Sequence, residues 1–348
     1  MTYRLLRDLM FRLDAEGAHE FVLQQMQRFQ EIELLHQVVS HLCQPPAAVA
    51  RNVWGLRFPT PIGIAGGFDK NAVMIPMLTA LGFGFVEVGT VTLRPQAGNP
   101  RPRLFRYPSA SAIVNRLGFN NEGADLVAER LHAWSSRAAT STRPPLFVNI
   151  GKNRDVPLDR APDDYAKCYM RVARWADGCV LNLSSPNTPS LRDLQQPEHL
   201  AKLLTLIRQV REEMYFARPG RQPILVKIAP DLDEAQIDEI CAVCSRLADG
   251  MICTNTTIDR NALPAAVSEA GGVSGKPLFA QSTRVLAEVR RRVGPGYPLI
   301  GVGGVFTADD VRAKLDAGAD LIQIYTGFVY EGPGLPSRLA RSLPGNGV

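Results

Sequence analysis

The sequence predicts an α/β fold, a (β/α)8 barrel with a small N-terminal helical extension, and three observations carry that prediction. Eight short apolar runs rich in Val, Ile and Phe, closed by Gly, Asn or Thr, recur from about residue 61. Helical stretches such as YAKCYMRVARWA, HLAKLLTLIRQVREEM, TRVLAEVRRRV and ADDVRAKLDAG separate most of them, and eight parallel βα units are the number at which a barrel closes. Residues 1–42 differ in kind, with helical spacing and no strand pattern. An open doubly wound sheet is the alternative. It would need a dinucleotide fingerprint or a strand-order switch point, and the near match Gly301-Val302-Gly303-Gly304 has Phe306 where the last glycine should fall.

In chain order, Leu5, Leu6, Leu9, Met10 and Leu13 repeat at helical spacing, and Asp14 can cap a second helix carrying Phe21, Val22, Met26 and Phe29. Ile32, Leu34, Leu35, Val38, Val39 and Leu42 continue the apolar pattern until Gln44-Pro45-Pro46-Ala47 breaks it. The expected organisation is an extension over 1–42, a linker over 43–50 and a barrel over 51–348. The strands are read from PIGIAGG, FGFVEVGTVT, LFVNIGKN, DGCVLNLSSPN, PILVKIAP, GMICTNTT, YPLIGVGGV and DLIQIYTGF.

The 348 residues are 45% hydrophobic, enough for a large core, which excludes disorder, and the length allows two domains or one barrel with an appendage. Thirty-nine Lys and Arg against 34 Asp and Glu, without a dense basic run, give no footprint for nucleic acid and suit anionic small molecules. Cys241 and Cys244 form the one C-x-x-C pair. Zinc would need a second, so no metal is expected, and in DEAQIDEICAVCSRLA the pair reads as buried thiols on an amphipathic helix. No apolar stretch reaches the roughly 18 residues of a membrane span, and the first residues, with Asp8, Asp14, Glu16 and Glu20, suit neither a signal nor a transit peptide. The expectation is a bacterial-type chain made and kept inside the cell.

Function in such a barrel sits at the strand C-terminal ends, and here Lys70, Thr90, Asn149, Asn182, Lys227, Asn255 and Tyr325 each follow an apolar strand. Asparagine also makes ordinary turns, so no single one decides. Lys227 within Val226-Lys227-Ile228 is harder to set aside, because an inward charge costs several kcal/mol unless an acceptor or anion meets it. Gly303-Gly304 and Tyr325-Thr326-Gly327 end the last two strands, where barrels hold phosphate on backbone N–H groups. In Asn182-Leu183-Ser184-Ser185-Pro186-Asn187-Thr188, alternation points Asn182 and Ser184 the same way, and Pro186 forces a turn that exposes Ser185. With Asn115 and Asn255-Thr256 this supplies side-chain amides suited to the N–H and C=O edges of a ureide or imide ring.

The ordered motifs GGFDKNA (66–72), EVGTVT (87–92), RPRLFR (101–106), NRLGFNN (115–121), NIGKN (149–153), NLSSPNTPSLR (182–192), VKIAPDL (226–232), TNTTIDR (254–260), GGVSGKPL (271–278), GVGG (301–304) and QIYTGF (323–328) span almost the whole chain. In these the sequence resembles class 2 dihydroorotate dehydrogenase, the quinone-linked, FMN-dependent family of pyrimidine synthesis. Departures are small: the family often has alanine at Gly66 and proline at Leu93 and Ala97, which touches local loop shape. Class 1 members place a cysteine base where Ser185 stands, whereas class 2 members use serine and carry an N-terminal helical extension, as here.

The resemblance implies that FMN lies across the barrel mouth on Gly66, Gly67, Phe68, Asp69, Lys70, Thr90, Asn149, Asn182, Lys227, Thr254, Gly275, Gly304, Tyr325 and Thr326, with its phosphate at the late glycines and Lys227 near flavin N1. It places dihydroorotate against Lys70, Asn115, Arg116, Leu117, Gly118, Phe119, Asn182, Asn187, Asn255 and Thr256. Ser185 would remove the C5 proton while hydride leaves C6 for flavin N5, the proton departing through a relay for which Thr188 and water are candidates. His19, Arg106 and Tyr325 would line the passage of a membrane quinone, and residues 1–42 would rest on the bilayer by apolar side chains, giving a peripheral protein on the cytoplasmic face of a bacterial inner membrane. A plain helical cap is the bland reading of that extension. Rivals remain: another FMN barrel oxidoreductase acting on a related pyrimidine, for which an iron–sulfur subunit would need clustered cysteines that are absent here, or a non-catalytic phosphate-binding barrel.

Overall fold

The computed structural model describes residues 2–137, 143–188, 190–215, 222–261, 263 and 267–345; Pro189 of the NLSSPNTPSLR motif lies outside them. Eight parallel strands close a barrel: β1 (Ile62–Ile64), β2 (Phe85–Val91), β3 (Leu146–Ile150), β4 (Gly178–Asn182), β5 (Ile224–Ile228), β6 (Gly250–Cys253), β7 (Leu299–Val302) and β8 (Leu321–Ile324). Each pairs with its neighbours in sequence, and β8 pairs with β1 to complete the ring. All eight come from the apolar runs that predicted them, so the open sheet is excluded.

Alternation along β2 explains the layers. Val86 and Val88 point outward to the core shared with the helices, while Phe85 points inward with Phe147, Val180, Leu225, Ile252, Ile300 and Leu321. These side chains fill the N-terminal end of the barrel. A hairpin of Arg51–Val53 and Leu56–Phe58 seals it, with Phe58 5.5 Å from the Phe85 ring and the Trp54 indole N–H donating to the Asp249 carbonyl at 2.7 Å. Gly63 and Gly178 have no side chain because a Cβ at either would overlap the Phe85 or Phe147 ring. Only the C-terminal end of the barrel is left for chemistry.

The helix Glu234–Leu247 buries Cys241 and Cys244 against the barrel, as its apolar spacing predicts. At the mouth, three antiparallel strands, Leu104–Tyr107, Ala112–Asn115 and Gly272–Gly275, form a small sheet that the sequence pattern did not separate from loops. Their runs, LFRY, AIVN and GVSG, are broken by Arg106, Asn115 and Ser274 and lack the Val, Ile and Phe density that marks the barrel strands.

The extension holds three helices, one more than its pattern suggested: α1 (Thr2–Met10), α2 (Ala15–Gln30) and α3 (Glu33–Cys43). Asp14 caps α2, its carboxylate accepting the Gly17 N–H at 2.7 Å. α3 ends at Cys43, just before Pro45-Pro46. A buried ion pair fastens α2 to the barrel: the Arg103 guanidinium donates to the Glu16 carboxylate at 2.7 and 3.0 Å and to the Asn99 carbonyl at 2.8 Å. Leu5, Leu6, Leu9, Leu13, Phe21, Phe29, Ile32, Leu34, Val38 and Leu42 remain exposed on the three helices and the turns between them. Among the described residues no helix is long and apolar enough to cross a membrane.

Candidate active site

The floor of the barrel mouth is a polar network built on one carboxylate. Glu87, inward on β2 and fully buried, accepts from Asn149 Nδ2 at 2.6 Å, from Lys227 Nζ at 3.1 Å and from Gln323 Nε2. Thr90 Oγ1 donates to Asn149 Oδ1 at 2.6 Å, and Asn182 Nδ2 donates to Thr90 Oγ1 at 2.8 Å. Asn255 Nδ2 completes the chain by donating to Asn182 Oδ1 at 3.1 Å and Ser184 Oγ at 3.0 Å. Buried polar groups in a low dielectric must be paired in this way, and pairing them fixes their directions. Lys227 therefore has the acceptor its position demanded, and that acceptor is a protein carboxylate. Sequence reasoning missed Glu87, although the same signal was present: a charge at the inward position of the apolar run FVEVGTV.

Above this floor opens a cavity lined by Gly66, Gly67, Lys70, Thr90, Asn115, Leu117, Gly118, Phe119, Asn182, Ser185, Asn187, Lys227, Thr254, Asn255, Thr256, Gly275, Gly304, Tyr325 and Thr326. Four expected residues stand elsewhere. Phe68 packs under α2, against His19 and Phe328. Asp69 is buried and turns back to accept the N–H groups of Asn71, Val73 and Met74; burial raises its carboxyl pKa, with those three bonds opposing. Asn149 lies beneath the wall, tying Thr90 to Glu87. Arg116 points away, donating to the Ala270 and Pro102 carbonyls and lying 4.8 Å over the Phe105 ring, so its side chain braces the mouth sheet and does not face the cavity.

Ser185 is 6% exposed and faces the cavity, so the turn at Pro186 aims it inward where the sequence suggested exposure. Its Oγ accepts the Asn187 N–H at 3.3 Å, and among the described residues no carboxylate or imidazole hydrogen-bonds to it. Thr188, the relay candidate, is buried but off the cavity wall. Lys70 lines the same cavity. Burial lowers its ammonium pKa to about 8, with the Glu16 carboxylate opposing and Arg103 reinforcing the shift.

A second cavity, of about 370 Å³, lies between α1, α2 and the barrel, walled by Leu6, Met10, Phe11, Phe21, Val22, Met26, Phe29, Phe68 and Phe328. His19, Arg106 and Tyr325 are its polar residues toward the barrel, and Tyr325 also lines the first cavity. The Arg106 guanidinium lies 4.5 Å over the Phe11 ring and donates to the Met10 carbonyl at 3.2 Å. His19 Nε2 is 3.3 Å from the Phe68 carbonyl, and burial, with Lys70 nearby, lowers its pKa to about 3. His19 is thus a neutral donor, and Arg106 is the cation of the pair.

Comparison with known proteins follows the same lines. The sequence model of the dihydroorotate dehydrogenase family matches residues 48–346. A protein of Methylibium petroleiphilum named dihydroorotate dehydrogenase (quinone) is 47% identical over 349 residues, 99% of each chain. One of the same name from Methylobacillus flagellatus is 44% identical over 99% of this chain and 100% of its own. Among solved structures, the Eimeria tenella dihydroorotate dehydrogenase in complex with ferulenol superposes with a TM-score of 0.86 at 36% identity, covering 96% of this chain and 93% of that one. The barrel, the helical extension and these full-length likenesses lead to one conclusion: the chain belongs to the dihydroorotate dehydrogenase family, in its quinone-linked class.

Proposed function

We propose that dihydroorotate is oxidised to orotate in the cavity at the barrel mouth, with FMN as the bound flavin, and that the electrons leave through the apolar cavity to a membrane quinone. The observation that carries this reading is the meeting of two unlike cavities at Tyr325, one polar and edged with amides, the other apolar and next to exposed leucines. The family is flavin-dependent, and the polar cavity suits FMN by its donor set. Gly275, Gly303 and Gly304, with φ of 99°, 116° and 76°, present backbone at one end for a phosphate. Gln323, on the wall, has a buried Oε1 without a hydrogen-bond partner, an acceptor suited to an imide N–H. When bound, FMN accepts the hydride that dihydroorotate gives up.

The chain's own residues do the rest. Lys70 offers a cation to the substrate carboxylate, and Asn115, Asn187 and Asn255 bracket a ring edged with N–H and C=O. Ser185 takes the proton from C5; the Asn187 N–H held on its Oγ stabilises negative charge there. Lys227 and Glu87 together hold a neutral pair under the flavin site, so Lys227 supplies a donor and a local positive end without a bare buried charge. His19 and Arg106 meet the quinone head, and the exposed leucines of α1 seat the extension on the inner membrane from the cytoplasmic side. Anaerobic mixing of the purified protein with dihydroorotate tests the first half: flavin absorbance bleaches, and a long-tailed quinone restores it. Yellow protein that dihydroorotate leaves unbleached overturns the reading.

A further inference from the structure

Lys314 is a buried cation that nothing above uses. It sits on the helix Ala308–Asp316 with no exposed surface, and its Nζ donates to Ser282 Oγ at 2.6 Å and lies 5.2 Å from the Phe279 ring centroid. Among the described residues no carboxylate lies within ion-pair distance of it. Asp310, whose charge acts on it, spends its carboxylate on the N–H groups of Phe306 and Thr307. Cys253, on β6, keeps a neutral thiol because burial pushes it far up, and Arg290 on the helix Phe279–Val293 is paired with Asp320 at 2.8 Å. A lysine buried in this way needs an anion to hold its charge.

The path to such an anion is short. Ser282 is itself fully buried, and its Oγ lies 3.2 Å from the Gly303 carbonyl and 3.1 Å from that of Phe279. Gly303 has to be glycine here, since with φ of 116° its Cβ would stand 2.6 Å from Ser282 Oγ. Gly303 and Gly304 are the cavity's glycine end. Lys314 thus stands one hydroxyl and one peptide behind the wall that the phosphate of FMN would touch.

We infer that Lys314 is the counter-charge for the flavin phosphate, acting through Ser282 and the Gly303 peptide as a positioning residue for cofactor retention. This rests on the FMN reading of the cavity. Burial lowers its ammonium pKa to about 7, so a phosphate dianion arriving at Gly303 draws a proton onto Lys314 and is held less well as pH rises. A purely structural lysine would stabilise the fold equally with any flavin.

The test uses the full chain purified with its flavin, first identifying that flavin after denaturation. The preference for FMN over riboflavin, which lacks the phosphate, is then measured by exchange at pH 7 and pH 9.5 for the wild type, Lys314→Met and Ser282→Ala. Lys314→Met should lose about 10- to 10²-fold of the preference, become insensitive to pH, and keep riboflavin affinity near the wild-type value. Ser282→Ala should fall between the two, and the wild-type preference should drop between the two pH values. Equal preference in the wild type and Lys314→Met overturns the inference. If Lys314→Met does not fold, a wild-type preference that is flat with pH overturns it on its own. Wild-type protein without FMN overturns the reading of the cavity together with the inference, whereas FMN bound with unchanged preference overturns the inference alone.

Discussion

In the proposed chemistry Ser185 is the base and Lys70 the cation for the substrate, and each makes a distinct prediction. Ser185→Ala should leave FMN bound and slow flavin reduction by dihydroorotate by about 10² to 10⁴, the usual worth of a positioned base; stopped-flow bleaching measures it, and near-normal reduction would remove the base assignment. Ser185→Cys should keep part of the rate, more of it at higher pH, because the thiolate is the effective base. Lys70 predicts a pH profile. Its pKa of about 8 lies below the ordinary lysine value, so its charge fades as pH rises through 8, and KM for dihydroorotate should climb there. The stability linkage has the opposite sense: between about 8 and the unfolded value the unfolded chain holds the extra proton, so this group's contribution to stability increases with pH. Glu87→Gln should cost about 3–5 kcal/mol, read from the denaturation midpoint, because it strands the buried Lys227 ammonium. Lys70 and Ser185 could be picked out at strand ends and in a proline turn, but Glu87 could not be paired with Lys227 from sequence, since the two stand 140 positions apart.

The helical extension is the element with most to prove. Its three helices keep leucine and phenylalanine outward while Glu16 and Arg103 lock α2 to the barrel, so the exposed apolar surface is held in a fixed place and is not left to a loose arm. At about 1.5–3 kcal/mol for each fully buried leucine, a few of them suffice for reversible seating on a bilayer. Replacing Leu5 and Leu9 together by serine should lower partition onto phosphatidylcholine vesicles by about tenfold or more, and slow reoxidation by long-tailed quinone, with bleaching by dihydroorotate unchanged. Retention of vesicle binding would leave the extension a cap. Helical spacing in the sequence located α1 and α2 and the Asp14 cap. The third helix carries the same signal, since Leu35, Val38, Val39 and Leu42 recur at helical spacing and the two prolines mark its end; what the continuous apolar pattern did not show was the break at Glu31-Ile32 that separates it from α2. The Glu16–Arg103 latch was not legible at all, being a contact between residues 87 apart.

For the whole molecule, the barrel was legible because every strand carries its own apolar run closed by glycine or a polar residue, and parallel neighbours in sequence leave a single way to close. What the pattern could not supply was depth: Asn149, Asp69 and Arg116 carry the right chemistry at the right motif, yet one stands below the cavity wall, one faces its own loop and one faces outward. The sealed N-terminal end makes a stability prediction. Gly63→Ala would push a methyl group into the Phe85 ring, and such overpacking costs about 1–3 kcal/mol, so the thermal midpoint should fall.

Tyr325 belongs to the walls of both cavities, so the proposed function gives each reactant a berth of its own. On that proposal orotate would not need to depart before the quinone arrives, and neither reactant would occupy the other's space. An apolar inhibitor wedged under α1 and α2 should therefore raise the apparent KM for quinone while lowering the maximal rate and the apparent KM for dihydroorotate in the same proportion, because it slows only the half-reaction that reoxidises the flavin. Orotate should show the mirror-image pattern.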